Sequence, residues 1–473
     1  MSDPSSFSAI VARRLIGLKK LSPVELLDAC IARIELHNPK LNAFVAMCLD
    51  RAREEARTAE TALVRGEPLG LLHGLPLGVK DLNDTAGVRT TYGSQLYAEH
   101  VPSEDEVLVR RLREAGAIVI GKTNTPEFGA GANTVNSVYG KTVNPFYSEL
   151  TCGGSSGGSA VALSASMVPL CTGSDTGGSL RTPSSFCGTA TLRPTPGVVP
   201  SNRRPVGLTT YAVQGPMARS IPDCALMLSA MAGFHPSDPM SAPIDAASLG
   251  AIQEIDLASL RVGFSEDLGF APIDNAIRAT FRERVNEFAE LFGRAEWRDP
   301  PMANADRVFW LVRGQMFLAA HTERYMRHAD KLGPNVTANV EAALAMKPEE
   351  LAWASAEQTR IYREFQGYFS DLDVLICPTA SVVPFPVDQA FCDEINGVPL
   401  DNYIQWANIV SGITLTGHPV AQIPCGYGPT QMPFGIQIVG PRLYSDRFVL
   451  GVASALERYF STVDDLSRPV PAL

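Results

Sequence analysis

Two glycine–serine segments constrain this chain more than any other feature. Gly153-Gly154-Ser155-Ser156-Gly157-Gly158-Ser159 is followed shortly by Asp175-Thr176-Gly177-Gly178-Ser179-Leu180-Arg181. Glycine lets a backbone turn sharply, reach positive φ and approach a ligand closely. A serine on such a turn presents its hydroxyl beside bare backbone N–H groups. Acyl transfer needs that pairing of a nucleophile with donors for a developing oxyanion. A flexible Gly/Ser linker has a similar composition, but Val161-Ala162-Leu163 and Val168-Pro169-Leu170-Cys171 between the segments read as core.

The surrounding pattern alternates helix and strand, which favours an α/β fold: a mixed central sheet with helices on both faces. Ser22-Pro23-Val24-Glu25 starts a helix, with Ser22 as cap, Pro23 at the first helical position and Glu25 completing a capping box. Helices are expected over residues 51–64, 106–115 and 157–167, and strands over 75–80, 117–120 and 168–172. Later strands are expected at 372–377, 421–424 and 434–439, with a closing helix at 446–459. Residues 241–368 shift toward charge and helix, with amphipathic candidates at 276–292 and 349–369. That stretch is expected to form a helix-rich, substrate-covering subdomain within a single domain spanning 1–473.

Of the 473 residues, 45% are hydrophobic and 19% charged, enough for a large core. The net charge of −10 argues against direct nucleic-acid binding, which needs clustered Lys and Arg. Nine scattered cysteines without a C-x-x-C pair read as reduced thiols in a cytoplasmic protein. The N-terminal stretch lacks a secretory apolar region, and no apolar run is long enough to span a bilayer. There is no H-E-x-x-H, no paired Cys/His spacing and no G-x-x-x-x-G-K-[ST] loop, so no metal or cofactor is expected.

A reactive serine needs a base. The seven histidines sit in no motif that compels catalysis, although His418 in Gly417-His418-Pro419 is the hardest to dismiss. Lysine is the other choice, but it must be neutral. At a pKa of about 10.4, only roughly four lysines in ten thousand are neutral at pH 7. Burial can lower that pKa by several units. Lys80 ends the apolar strand Leu75-Pro76-Leu77-Gly78-Val79-Lys80 and can point inward there.

Taken together, these segments resemble the amidase signature family in order and spacing. The resemblance is carried by Gly74-Leu75-Pro76-Leu77-Gly78-Val79-Lys80-Asp81, Gly121-Lys122-Thr123-Asn124, the two Gly/Ser segments and Arg181-Thr182-Pro183-Ser184-Ser185-Phe186-Cys187-Gly188. It continues through Gly215-Pro216-Met217-Ala218-Arg219, Asp373-Val374-Leu375 with Pro378-Thr379 and, more loosely, Pro433 to Gly440. It implies a Ser–Ser–Lys triad: Ser179 as acyl-enzyme nucleophile, Ser155 as bridging serine with its peptide bond in cis, and Lys80 as base. The N–H groups of Thr176, Gly177, Gly178 and Ser179 would form the oxyanion hole, and Gly129 and Ala130 would lie on the substrate loop.

The resemblance has one departure. Relatives usually carry a glycine and then a lysine after Phe186-Cys187-Gly188, where Thr191 and Arg193 stand here, so packing behind the site is in question. Asp175 and Arg181 read as hydrogen-bonding scaffolds, Ser156 and Ser159 as partners of nearby backbone, and Cys187 as a buried thiol. Trp310, Met316, Phe317, Trp406 and residues 403–409 are pocket candidates.

The implied activity is hydrolysis of the C–N bond of a small-molecule carboxylic amide; a homodimer is left open. One rival is the amidase subunit of a glutamine-dependent tRNA amidotransferase, in which a partner would hold the tRNA. Another is a Ser–His–Asp hydrolase, because Gly154-Ser155-Ser156-Gly157-Gly158 also satisfies G-x-S-x-G with Ser156 central. It would recruit His418 and would leave Lys80 unexplained.

Overall fold

Successive side chains of a strand point to opposite faces, so a strand buried at every position must be covered on both sides. Pro76–Lys80, Ile118–Thr123 and Pro433–Val439 are buried throughout. The structure, a computed structural model, describes residues 3–473. Its main sheet has eleven strands among those residues. In chain order they are β1 (Phe44–Met47), β2 (Pro76–Lys80), β3 (Ile118–Thr123), β4 (Leu170–Asp175), β5 (Ala190–Arg193), β6 (Val213–Ala218), β7 (Arg261–Phe264), β8 (Arg294–Trp297), β9 (Val374–Pro378), β10 (Val420–Tyr427) and β11 (Pro433–Val439). Across the sheet the order is β1-β3-β2-β4-β6-β5-β10-β11-β9-β7-β8. β2 runs parallel to β3 and β4, whereas β4, β6, β5, β10, β11 and β9 pair antiparallel in turn. The fold is therefore α/β on a mixed sheet, as expected.

Most expected elements are present with shifted ends. The helix over 51–64 is Leu49–Arg65, that over 349–369 is Pro348–Tyr368, and the closing helix is Asp446–Phe460. Ser22 caps Pro23–Leu41 with the full capping box. The helix beginning at Gly157 stops at Ser164, short of the expected 167, and Ser166 turns the chain with φ 55 toward β4.

Residues 241–368 are more than a helical cover. They supply the helices Asn275–Phe288, Ala305–His328 and Pro334–Leu344 and most of Pro348–Tyr368, but also β7 and β8 at the sheet edge. β7 pairs in parallel with β9, a partner remote in sequence that no local pattern signals. β5 and β6 were likewise not expected as strands.

Candidate active site

Lys80 closes β2 with its side chain fully buried. Its backbone N–H donates to Thr172 Oγ1 (2.9 Å) on β4. Thr172 and Ser174 are two apart on that strand, so both side chains take the same face, and both reach Lys80. Lys80 Nζ lies 2.8 Å from Ser155 Oγ, 2.8 Å from Ser156 Oγ and 2.9 Å from Ser174 Oγ. Burial pushes the ammonium down to about 7, against a smaller upward pull from Asp175. No carboxylate pairs with it among the described residues. A neutral amine has two N–H donors and one lone pair. Three hydroxyl partners therefore suit an amine that donates to Ser156 and Ser174 and accepts from Ser155.

The two Gly/Ser segments are joined directly: the Ser156 N–H donates to the Ser179 carbonyl (3.2 Å). The Gly154–Ser155 peptide is cis. Gly158 is needed for close approach, because a Cβ there would stand 2.3 Å from the Asn124 nitrogen. Ser179 is half-buried and opens to a cavity of about 510 Å³. Its hydroxyl is not hydrogen-bonded to Ser155 among the described residues, so the structure brings Lys80 and Ser155 into contact but leaves Ser179 one step away. Catalytic hydrogen bonds commonly close only with substrate in place.

The turn that carries Ser179 is held by Asp175. This carboxylate accepts from the Gly178 N–H (2.8 Å), the Leu180 N–H (3.1 Å), Arg181 Nε and Nη2 (both 3.0 Å) and Arg193 Nη1 (3.1 Å). Burial alone would raise its pKa, but Arg181 and Arg193 overcome that and hold it well below the usual carboxylate range. Arg181 reaches on to Gln437 Oε1 (2.8 Å) on β11 and Thr414 Oγ1 (3.0 Å). Breaking such a buried charge group by removing one partner costs about 3–5 kcal/mol. Arg193, the departure from the family pattern, thus sits in the scaffold behind the nucleophile turn as a second cation on Asp175.

The amides facing the cavity are fewer than the four expected. Gly178 gives its N–H to Asp175, has φ +106 and does not line the cavity; a Cβ there would meet Val410 Cγ2 at 2.4 Å. Thr176, Gly177 and Ser179 do line it, and their N–H groups meet no protein acceptor among the described residues. Gly129 also lines it, and a Cβ there would stand 3.3 Å from Ser155 Oγ. Ala130 is buried outside the cavity wall, where its carbonyl accepts from Asn335 Nδ2 (3.1 Å). Met316 and Phe317 line the cavity as expected, whereas Trp310 packs against the core and Trp406 is buried against Phe385.

Ser156 does more than satisfy backbone, because it also contacts Lys80. Ser159 donates to the Thr172 carbonyl (2.9 Å), and Cys187 is a buried thiol. Ser174 and Gln437 were missed as site residues. Period-two alternation from Thr172 offered a signal for Ser174.

His418 is fully buried among Tyr362, Phe365 and Phe369, with Nδ1 3.1 Å from the Thr416 carbonyl. Burial pushes it down to about 4, so it stays neutral. No histidine is hydrogen-bonded to Ser155, Ser156 or Ser179 among the described residues. His418→Ala is therefore expected to change amide kcat/KM, per folded molecule, by far less than the roughly 10²–10⁴-fold that follows loss of a general base. A loss on that scale would return the Ser–His–Asp reading. Among the described residues, no group of three His, Cys, Asp or Glu is arranged to hold a metal ion.

A buried lysine under two serine-bearing turns, on a mixed sheet with helices on both faces, defines a class of serine hydrolase fold. The chain belongs to the Amidase family, the amidase signature enzymes, whose sequence profile matches residues 25–450. It is 31% identical to a glutamyl-tRNA(Gln) amidotransferase subunit from Alkaliphilus metalliredigens, over 93% of this chain and 94% of that one. It is 32% identical to the subunit of the same name from Synechococcus elongatus, over 93% and 95%. Among solved structures it resembles a bacterial aryl acylamidase of the amidase signature family, with TM-score 0.88, 27% identity and 96% of each chain covered.

Proposed function

We propose that this chain cleaves the C–N bond of a carboxylic amide through an acyl-enzyme on Ser179. One observation carries the proposal: Lys80 is fully buried, has a pKa lowered to about 7 and lies 2.8 Å from Ser155 Oγ. Neutral Lys80 accepts a proton from Ser155, and Ser155 accepts one from Ser179 as its Oγ attacks the amide carbonyl. The N–H groups of Thr176, Gly177 and Ser179 face the developing oxyanion. The relay then reverses to protonate the leaving amine, and water repeats the attack to release the acid.

The setting of this chemistry has two readings. The curated relatives favour the amidase subunit of a glutamine-dependent tRNA amidotransferase over the free-standing linear-amide hydrolase expected first, because both bear that subunit's name across 93% of the chain. In that setting the leaving group is ammonia, and a partner holds the tRNA, which suits a chain of net charge −10. The free-standing reading is supported by the likeness to the aryl acylamidase. Nine free cysteines support a reducing, cytoplasmic compartment for either, and no helix among the described residues is long and apolar enough to cross a membrane.

Assays of the purified chain on glutamine and on a panel of aryl and aliphatic amides separate the readings. Multiple turnover of simple amides by the chain alone assigns it as free-standing. Ammonia release from glutamine only when a partner protein is supplied assigns it to a complex. Absence of an acyl-enzyme in both settings overturns the proposal.

A further inference from the structure

Four arginines line the cavity beside Ser179: Arg203, Arg204, Arg313 and Arg324. Two are neutralised. Arg203 pairs with Asp84 (2.6 Å), and Arg204 pairs with Asp238. The other two have no carboxylate partner among the described residues.

Arg313 is the telling case, because it is only 7% exposed. Its guanidinium donates to Asn339 Oδ1 and Tyr403 Oη, both neutral, and stacks over Phe317 (4.3 Å) and Tyr403 (5.3 Å). Two of its five donors are thereby occupied and its charge is left uncompensated. Arg324 lies over Phe128 (5.0 Å) and Tyr97 (5.8 Å) and donates to Tyr97 Oη (3.3 Å). His321 lies on the same cavity wall, and burial followed by the two arginines pushes it down to about 4, so it adds no charge. The two lining carboxylates, Asp84 and Glu106, are engaged elsewhere: Asp84 with Arg203 and Tyr92, Glu106 with Asn83 and Gln214.

Both cations connect to the reactive turns. Arg313 is one helical turn beyond Phe309, whose ring blocks any side chain at Gly177, with Cζ 2.8 Å from a Cβ built there. One turn advances about 6 Å along a helix. Phe128, under Arg324, precedes Gly129, which abuts Ser155. A buried guanidinium is stable when an anion completes it, and its planar fork matches a carboxylate.

We infer that the amide taken by this cavity carries a carboxylate, received by Arg313 with Arg324 adding positive potential beside it. This rests on the amide-cleaving reading above but names the class of substrate. It holds whether the carboxylate lies on the acyl or the amine side of the scissile bond.

Two matched pairs of anilides test it: N-phenylglutaramate against hexananilide, and 4-acetamidobenzoate against 4-methylacetanilide. Wild-type protein is expected to show at least tenfold higher kcat/KM for the carboxylate member of one pair. Ser179→Ala is expected to bind that member correspondingly tighter by calorimetry, with an affinity that falls as salt rises. Arg313→Met should bring the ratio toward one; should that variant fail to fold, Arg324→Gln should reduce it. Equal kcat/KM within both pairs, or binding of neither carboxylate by Ser179→Ala, overturns the inference. Anion-selective binding by Ser179→Ala without turnover by wild type supports this inference and overturns the acyl-enzyme reading. Turnover without charge preference does the reverse.

Discussion

Ser179→Ala is expected to lower amide turnover by roughly 10⁶-fold, the scale of losing the nucleophile in a serine hydrolase, while the folded structure persists. Ser179 stands on the cavity wall, and its turn is held by backbone bonds to Asp175 that do not use its hydroxyl. Removing Oγ therefore takes away the attacking atom and little of the scaffold. An active-site-directed fluorophosphonate should attach to Ser179, read by mass spectrometry of the digested protein. Ser155 is only 2% exposed and Ser156 is fully buried, so neither should compete. A label on Ser156 would restore the G-x-S-x-G alternative and remove Ser179 from the central role.

Lys80→Met is expected to lower the rate by about 10²–10⁴-fold, as loss of a general base does, and to abolish the acid limb of the pH profile. The sign follows from burial. Desolvation disfavours the ammonium, so the pKa falls to about 7 and the neutral base accumulates as pH rises through that value. Wild-type kcat/KM should climb from mildly acidic toward alkaline pH. The midpoint belongs to the coupled Lys80–Ser155–Ser179 unit rather than to one residue. At a pKa of about 7, roughly half of the molecules hold a neutral lysine at pH 7, about a thousandfold more than at the unperturbed value. Methionine keeps the length and apolar stem without a titrating amine. A Lys80→Met enzyme with near-normal rate and an unchanged acid limb would show that another group takes the proton.

The chemistry of the reactive turns was legible because it is local. A nucleophile flanked by bare amides demands glycine and serine within a few residues, and a buried base demands an apolar strand around a lysine. Lys80, Ser155 and Ser179 could therefore be singled out together. The oxyanion set was over-read because the composition of the turn does not say which N–H turns inward. Gly178 looks equivalent to Gly177 in sequence, yet its N–H serves Asp175. Ala130 was over-read for the same reason beside Gly129, since one faces the cavity and the other the core.

By itself the sequence determined the α/β alternation, the two serine-bearing turns and the apolar strand ending in Lys80. These depend on backbone freedom and on periodicity within a few residues. Tertiary structure alone decided that Ser174 joins Ser155 and Ser156 around the lysine, that Arg193 and Arg181 share Asp175, and that Gln437 reaches Arg181 from another strand. It also decided that residues 241–368 add two edge strands and deliver Arg313 to the cavity without a counter-charge. Charge compensation and cavity shape are sums over elements far apart in the chain, fixed only once strand register and helix facing bring those elements together.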